Sequence, residues 1–122
     1  MLPFRLNMKT YRWADMAAEQ LNPLTARKAI HAESVTIGRF ELKKGCVVPT
    51  HSHVNEQVST IDAGCLKFTF GTEEILVKAG ETLVIPPNVP HSAEAMEDTL
   101  ATDVFVPTRQ DWIDGTDSYF RK

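Results

Sequence analysis

Gly45-Cys46-Val47-Val48-Pro49-Thr50-His51-Ser52-His53-Val54-Asn55-Glu56-Gln57 and, further on, Gly80-Glu81-Thr82-Leu83-Val84-Ile85-Pro86-Pro87-Asn88-Val89-Pro90-His91 are the stretches on which the fold turns. Alternate side chains of a strand share a face. His51 and His53 would then point the same way, about 6.6 Å apart along the chain. That spacing suits two ligands of one metal, each nitrogen coming within about 2.1 Å of it. Gln57 has the same parity and shares the face if the ladder is regular. Glu56 has the opposite parity and points outward unless a bulge shifts the phase. Taken alone, a His-x-His pair also suits a polar strand surface. Here a second glycine-led block, ending in His91, follows it.

The chain around these blocks has the texture of an all-β domain. Runs rich in Val, Ile, Phe and Thr alternate with Gly, Pro and Asp. Strands are expected at Ser34–Leu42, Glu56–Ile61, Cys65–Phe70, Glu74–Val77, Thr82–Ile85, His91–Ala95 and Leu100–Val106. Turns fall at Lys43-Lys44-Gly45, Asp62-Ala63-Gly64, Gly71-Thr72, Ala79-Gly80 and Pro86-Pro87-Asn88. Many short strands joined by tight turns point to a sandwich or barrel rather than to βαβ units. The first 30 residues are less regular. Trp13–Leu21 fits a short helix stopped before Pro23, and Arg109–Ile113 fits a short closing helix. The expected organisation is one domain: an N-terminal extension with the first edge elements over 1–33, a barrel core over 34–109 and a tail over 110–122.

Composition narrows the function. With 122 residues and 43% apolar residues, the chain can bury one ordinary core. Its net charge of −3 and scattered Lys and Arg offer no basic stripe for a phosphate backbone, so no nucleic-acid partner is expected. No apolar run approaches the roughly 18 residues of a membrane span. Met1–Asn7 lacks the apolar core of a signal peptide, and Met8 is an alternative start. The expected compartment is the cytoplasm. Cys46 and Cys65 form neither a zinc pattern nor a disulfide framework and read as reduced residues in apolar strands.

A second constellation lies at Thr102-Asp103-Val104-Phe105-Val106-Pro107-Thr108-Arg109. Asp103 and Phe105 share one face by alternation, Val104 and Val106 the other. If the first pair faces a cavity, Asp103 is a general acid or base, Phe105 covers one face of a small ring, and Arg109 offers a planar fork for a carboxylate. The plainer alternative is a surface ion pair of Asp103 with Arg109, worth little, beside a core Phe105.

The two blocks, Gly45-x5-His51-x-His53-x3-Gln57 and Gly80-x5-Pro86-x-Asn88-x2-His91, resemble the paired motifs of the cupin superfamily. That resemblance implies a double-stranded β-helix, or jelly-roll barrel, over most of the chain. It also implies one divalent transition metal (Ni, Zn, Fe or Mn) held by His51, His53, Gln57 and His91. Asn88 stands where a glycine is usual, and Asn tolerates positive φ. Three neutral imidazoles and an amide oxygen would leave a divalent ion its full charge, which favours an anionic substrate or an acidified water.

Together with Asp103-x-Phe105-x-Pro107-x-Arg109-x-Asp111, the motifs resemble the small KdgF-type cupins of pectin and alginate breakdown. Such proteins convert 4,5-unsaturated uronates from the cyclic to a linear keto form. The resemblance implies catalytic roles for Asp103, Phe105 and Arg109, a small anionic sugar substrate and a homodimer. The segment Ser59-Thr60-Ile61-Asp62-Ala63-Gly64 departs from that pattern, since an aromatic residue and a Glu are usual before the glycine. A metal-dependent dioxygenase and a non-catalytic sugar-acid-binding protein are the alternatives on the same barrel.

Overall fold

Thr36–Leu42 shows how the sequence folds. Residues 36, 38, 40 and 42 turn inward, and those between stay half-buried or exposed. The same two-residue period runs through most of the protein. The computed structural model describes residues 8–121, and Met1–Asn7, read above against a signal peptide, lies outside them. Ten strands follow in order: β1 (Glu19–Asn22), β2 (Thr25–His31), β3 (Thr36–Leu42), β4 (Val47–His51), β5 (Glu56–Ala63), β6 (Cys65–Phe70), β7 (Glu73–Lys78), β8 (Thr82–Ile85), β9 (His91–Ala95) and β10 (Thr99–Val106). They form a six-stranded sheet, β1-β2-β3-β10-β5-β8, and a four-stranded sheet, β4-β9-β6-β7. Every pairing is antiparallel. The two sheets make the expected jelly-roll barrel, with Phe40, Leu42, Ile61, Leu66, Phe68 and Ile85 among its buried core.

Strands β6, β8 and β9 have the bounds expected from the sequence, and the expected turns separate them. Gly45 and Gly80, which open the two motif blocks, both have positive φ (86° and 85°), and so does Asn88 at 65°. The asparagine therefore takes the conformation for which a glycine is usual. Cys46 and Cys65 are free thiols, the first buried. Among the described residues no helix is long and apolar enough to cross a membrane.

The N-terminal third departs from expectation. Only Trp13–Asp15 of the expected helix is helical, a single 3-10 turn. Glu19–Asn22 instead pairs with β2 and turns Leu21 into the core. A helix of nine residues is marginal by itself, and a ladder with a buried leucine outweighs it. Strands β2 and β4 were not among the bounded strands, although edge elements were expected within 1–33 and a strand was assumed for His51 and His53. Arg27 occupies an inward position of β2 where an apolar residue would advertise a strand. Pro49 interrupts β4.

The chain closes with α1 (Gln110–Asp114), the short helix expected near Arg109–Ile113, and a 3-10 turn at Ser118–Arg121. Gly115, at φ 73°, ends α1 in the left-handed conformation. Trp112 and Phe120 are buried on the barrel. Asp117 meets Arg27 of β2 at 2.9 Å, and the Asn22 side chain donates to the Phe120 carbonyl.

Candidate metal centre

His51 ends β4 and His91 begins β9, and the two are direct cross-strand partners. His53 lies beyond the end of β4, in the loop before β5. The imidazoles of His51 and His53 therefore converge through a bend in the chain, not through strand alternation as the sequence suggested. Their ring centroids are 5.6 Å apart, and His91 stands 4.4 and 5.2 Å from them. Gln57, on β5, is buried between its partners Phe105 and Ile85. Glu56 points outward and is exposed, as its parity requires.

Each imidazole is oriented by a backbone carbonyl. Nδ1 of His51 lies 2.7 Å from the Pro49 oxygen, that of His53 3.0 Å from Asn55, and that of His91 2.8 Å from Val89. A carbonyl only accepts, so each Nδ1 carries the hydrogen and each Nε2 presents a lone pair. Burial is the main cause that lowers all three histidine pKa values, to about 4 for His51 and His53. The rings are thus neutral at pH 7. One donor atom from each lies within 4.8 Å of the others.

Two contacts test whether a metal fits. Gln57 Oε1 sits 3.1 Å from His53 Nε2, while its amide nitrogen donates to Ser59 Oγ at 2.9 Å. With Nδ1 of His53 protonated, the 3.1 Å contact sets one acceptor against another. Nε2 of His91 is buried with no hydrogen-bond partner among the described residues. Converging lone pairs with nothing between them are costly, and a cation relieves that cost. The residues fit a divalent ion, with second partners of the kind metal-bound histidines use.

Strand β10 turns Asp103 and Phe105 inward, which decides the alternative the sequence left open. They lie beside β5, with Asp103 opposite Ser59 and Phe105 opposite Gln57. Asp103 Oδ2 is 3.4 Å from the Gln57 amide nitrogen, and Oδ1 has no partner among the described residues. Burial raises the Asp103 carboxyl to about 7, against the opposing pull of a Ser59 hydrogen bond and the Arg109 charge. Arg109 forms its ion pair with Asp111 and not with Asp103, and neither Arg109 nor Asp103 is on the surface. Arg109 stacks 4.7 Å over Phe105 and 4.6 Å over Trp112. Its fork is already engaged: Nε and Nη2 donate to Asp111 at 2.9 and 2.7 Å, and Nη2 also donates to the Tyr119 hydroxyl at 2.6 Å. Among the described residues only Nη1, with its two N–H groups, is left for a ligand, so the two-nitrogen fork read from the sequence is not free.

A family model for the cupin domain matches residues 38–106. The chain is a cupin. Solved structures of cupin architecture agree with that placement. KdgF from Halomonas sp. superposes with a TM-score of 0.79 at 23% identity, over 85% of this chain and 99% of that one. An RmlC-like cupin from Shewanella frigidimarina gives 0.80 at 20% identity, over 87% and 96%. The polyketide cyclase RemF from Streptomyces resistomycificus gives 0.72 at 21% identity, over 83% and 80%. At these identities the likeness is one of fold. No curated protein matches the chain.

In this cupin the sequence missed two residues at the centre. Asn55 is buried and donates to the Pro107 carbonyl at 2.5 Å, tying the His53 loop to the segment before Arg109. Tyr119 stacks on His51 with ring centroids 4.1 Å apart and planes 9° from parallel. No local pattern announced Tyr119. It follows a short turn after α1, and only the path of the chain back over the barrel brings it there.

Proposed function

We propose that this cupin is a metal-dependent enzyme that converts 4,5-unsaturated uronates to the linear keto form without a redox step. The observation that carries the reading is Asp103, a buried carboxyl raised to about 7 beside the Gln57–His53 acceptor pair, with one oxygen unpartnered among the described residues. A divalent ion held by His51, His53, Gln57 and His91 would supply positive charge to an anionic ligand. A carboxyl at about 7 both holds and releases a proton at neutral pH, as ring opening and tautomerisation of an enol ether require. Arg109 Nη1 binds the ligand carboxylate, and Phe105, whose ring lies 5.7 Å from that of His53, shields the site from water.

The test mixes metal-loaded protein with lyase-generated unsaturated galacturonate and follows ultraviolet absorbance. Loss of the conjugated double bond faster than in buffer, slowed by stripping the metal, is the expected result. Binding without any change in absorbance would make the protein a sugar-acid binder. Oxygen uptake with catechol-like substrates would make it a dioxygenase.

A homodimer belongs to the same proposal. Ile30, Ile37, Val104, Val58 and Val84 stand in register across the outer face of β2, β3, β10, β5 and β8. All are half-buried or exposed. An aliphatic row of this kind suits a second copy of the sheet. Light scattering should give the mass of two chains, and Val104→Asp the mass of one.

A further inference from the structure

The cavity lined by His51, His91 and Arg109 is nearly full. It offers about 40 Å³, room for about three waters and not for a six-carbon sugar acid. Barrel side chains line it together with Trp112, Tyr119 and Phe120 of the closing segment. The Tyr119 ring lies flat on His51, and its hydroxyl accepts from Arg109 Nη2. The Asp111 carboxylate takes the bidentate grip of the same guanidinium. Between them these two side chains present a carboxylate, a hydroxyl and a six-membered ring to Arg109 and His51. Those are the groups of a hydroxylated ring acid.

The rest of the segment is fastened elsewhere. Trp112 and Phe120 are in the core, and Asp117 is bound to Arg27. Asp111 and Tyr119 are only half-buried. Their hold on the site is the hydrogen bonds to Arg109 and the stack on His51, separate from those anchors.

We propose that Asp111 and Tyr119 are a built-in occupant of the ligand site, which a small carboxylate larger than the cavity displaces from Arg109 and His51. The assignment of a carboxylate rests on the reading of Arg109 given above. The displacement itself does not.

The test uses the full chain with Ni(II), comparing wild type with Tyr119→Phe and Tyr119→Ala. An occupant limits entry and exit alike. In Tyr119→Ala both Ni(II) association and release to EDTA should therefore accelerate together by about tenfold, the equivalent of one charge-assisted hydrogen bond, with Kd unchanged. Release rising alone would show that Tyr119 only props His51, and unchanged rates would leave the cavity freely open. Either result overturns the proposal.

Tyr119→Phe keeps the ring and its packing, so it covers the case in which the alanine variant fails to fold. Losing the competing hydroxyl, it should bind D-galacturonate, followed by tryptophan fluorescence, about three- to tenfold more tightly than wild type. Weaker or equal binding would make Tyr119 part of the ligand's own pocket and overturn displacement. If both metal rates accelerate and no variant binds D-galacturonate, the occupant stands and the uronate reading falls.

Discussion

Arg27 and Asp117, ninety residues apart, form an ion pair of 2.9 Å with both side chains almost wholly out of water. The Arg27 guanidinium also lies 4.0 Å from the Trp112 ring, and Glu19 accepts from its Nη2 at 3.0 Å. The pair fastens the closing segment to β2. Asp117→Ala leaves a buried cation short of its main partner and should cost about 3–5 kcal/mol in denaturant unfolding. Arg27→Met with Asp117→Leu should recover much of that loss, because the desolvation cost of both charges goes with them. A loss below about 0.5 kcal/mol in Asp117→Ala would show that the aromatic residues and the Asn22–Phe120 hydrogen bond hold the segment without the ion pair.

His91 is the most deeply buried of the three histidines, and its Nε2 has no hydrogen-bond partner among the described residues. His91→Ala should abolish stoichiometric binding of a divalent metal, measured by elemental analysis after gel filtration. Glu56→Ala changes an outward, exposed residue and should leave the metal content at the wild-type value.

Asp103→Asn keeps the shape of the side chain and removes its titration. Metal content should be retained, while turnover of an unsaturated uronate should fall by about 10²–10⁴-fold. Activity close to wild type would assign the proton transfer to another group.

The centre also makes stability depend on pH, in two opposed ways. Desolvation holds His51 and His53 at about 4, below the 6.5 of an unfolded chain. Between pH 6.5 and 4 the unfolded chain takes up protons that the folded one refuses. That contribution to stability is therefore lost as the pH falls through this window. Asp103 runs the other way: burial raises it from 3.8 to about 7, so the folded state keeps a proton the unfolded chain has released. Its effect weakens the fold as the pH rises from 3.8 to 7. Metal-free Asp103→Asn should therefore gain stability relative to wild type between pH 5 and pH 7, read from urea midpoints. A shift equal at both pH values would mean that Asp103 is ionised throughout.

The sequence by itself determined the barrel. Short alternating strands, turn residues at Gly45, Gly80 and Asn88, and the spacing of His51, His53 and His91 are local patterns, and each is visible without knowledge of the neighbours. It also selected Gln57 over Glu56, although strand parity holds only within β5, since His53 reaches the centre from a loop. The tertiary structure alone decided the rest. Strand β2 stayed hidden because Arg27 points inward, which is tolerable only with Asp117, Glu19 and Trp112 around it. The inward turn of Asp103 was undecided until β10 paired with β5. The engagement of Arg109 by Asp111 and Tyr119 required the chain to return across the mouth of the barrel. Contacts made by residues distant in sequence leave no periodic trace in it, because packing depends on what arrives from elsewhere and periodicity only on what stands next in line.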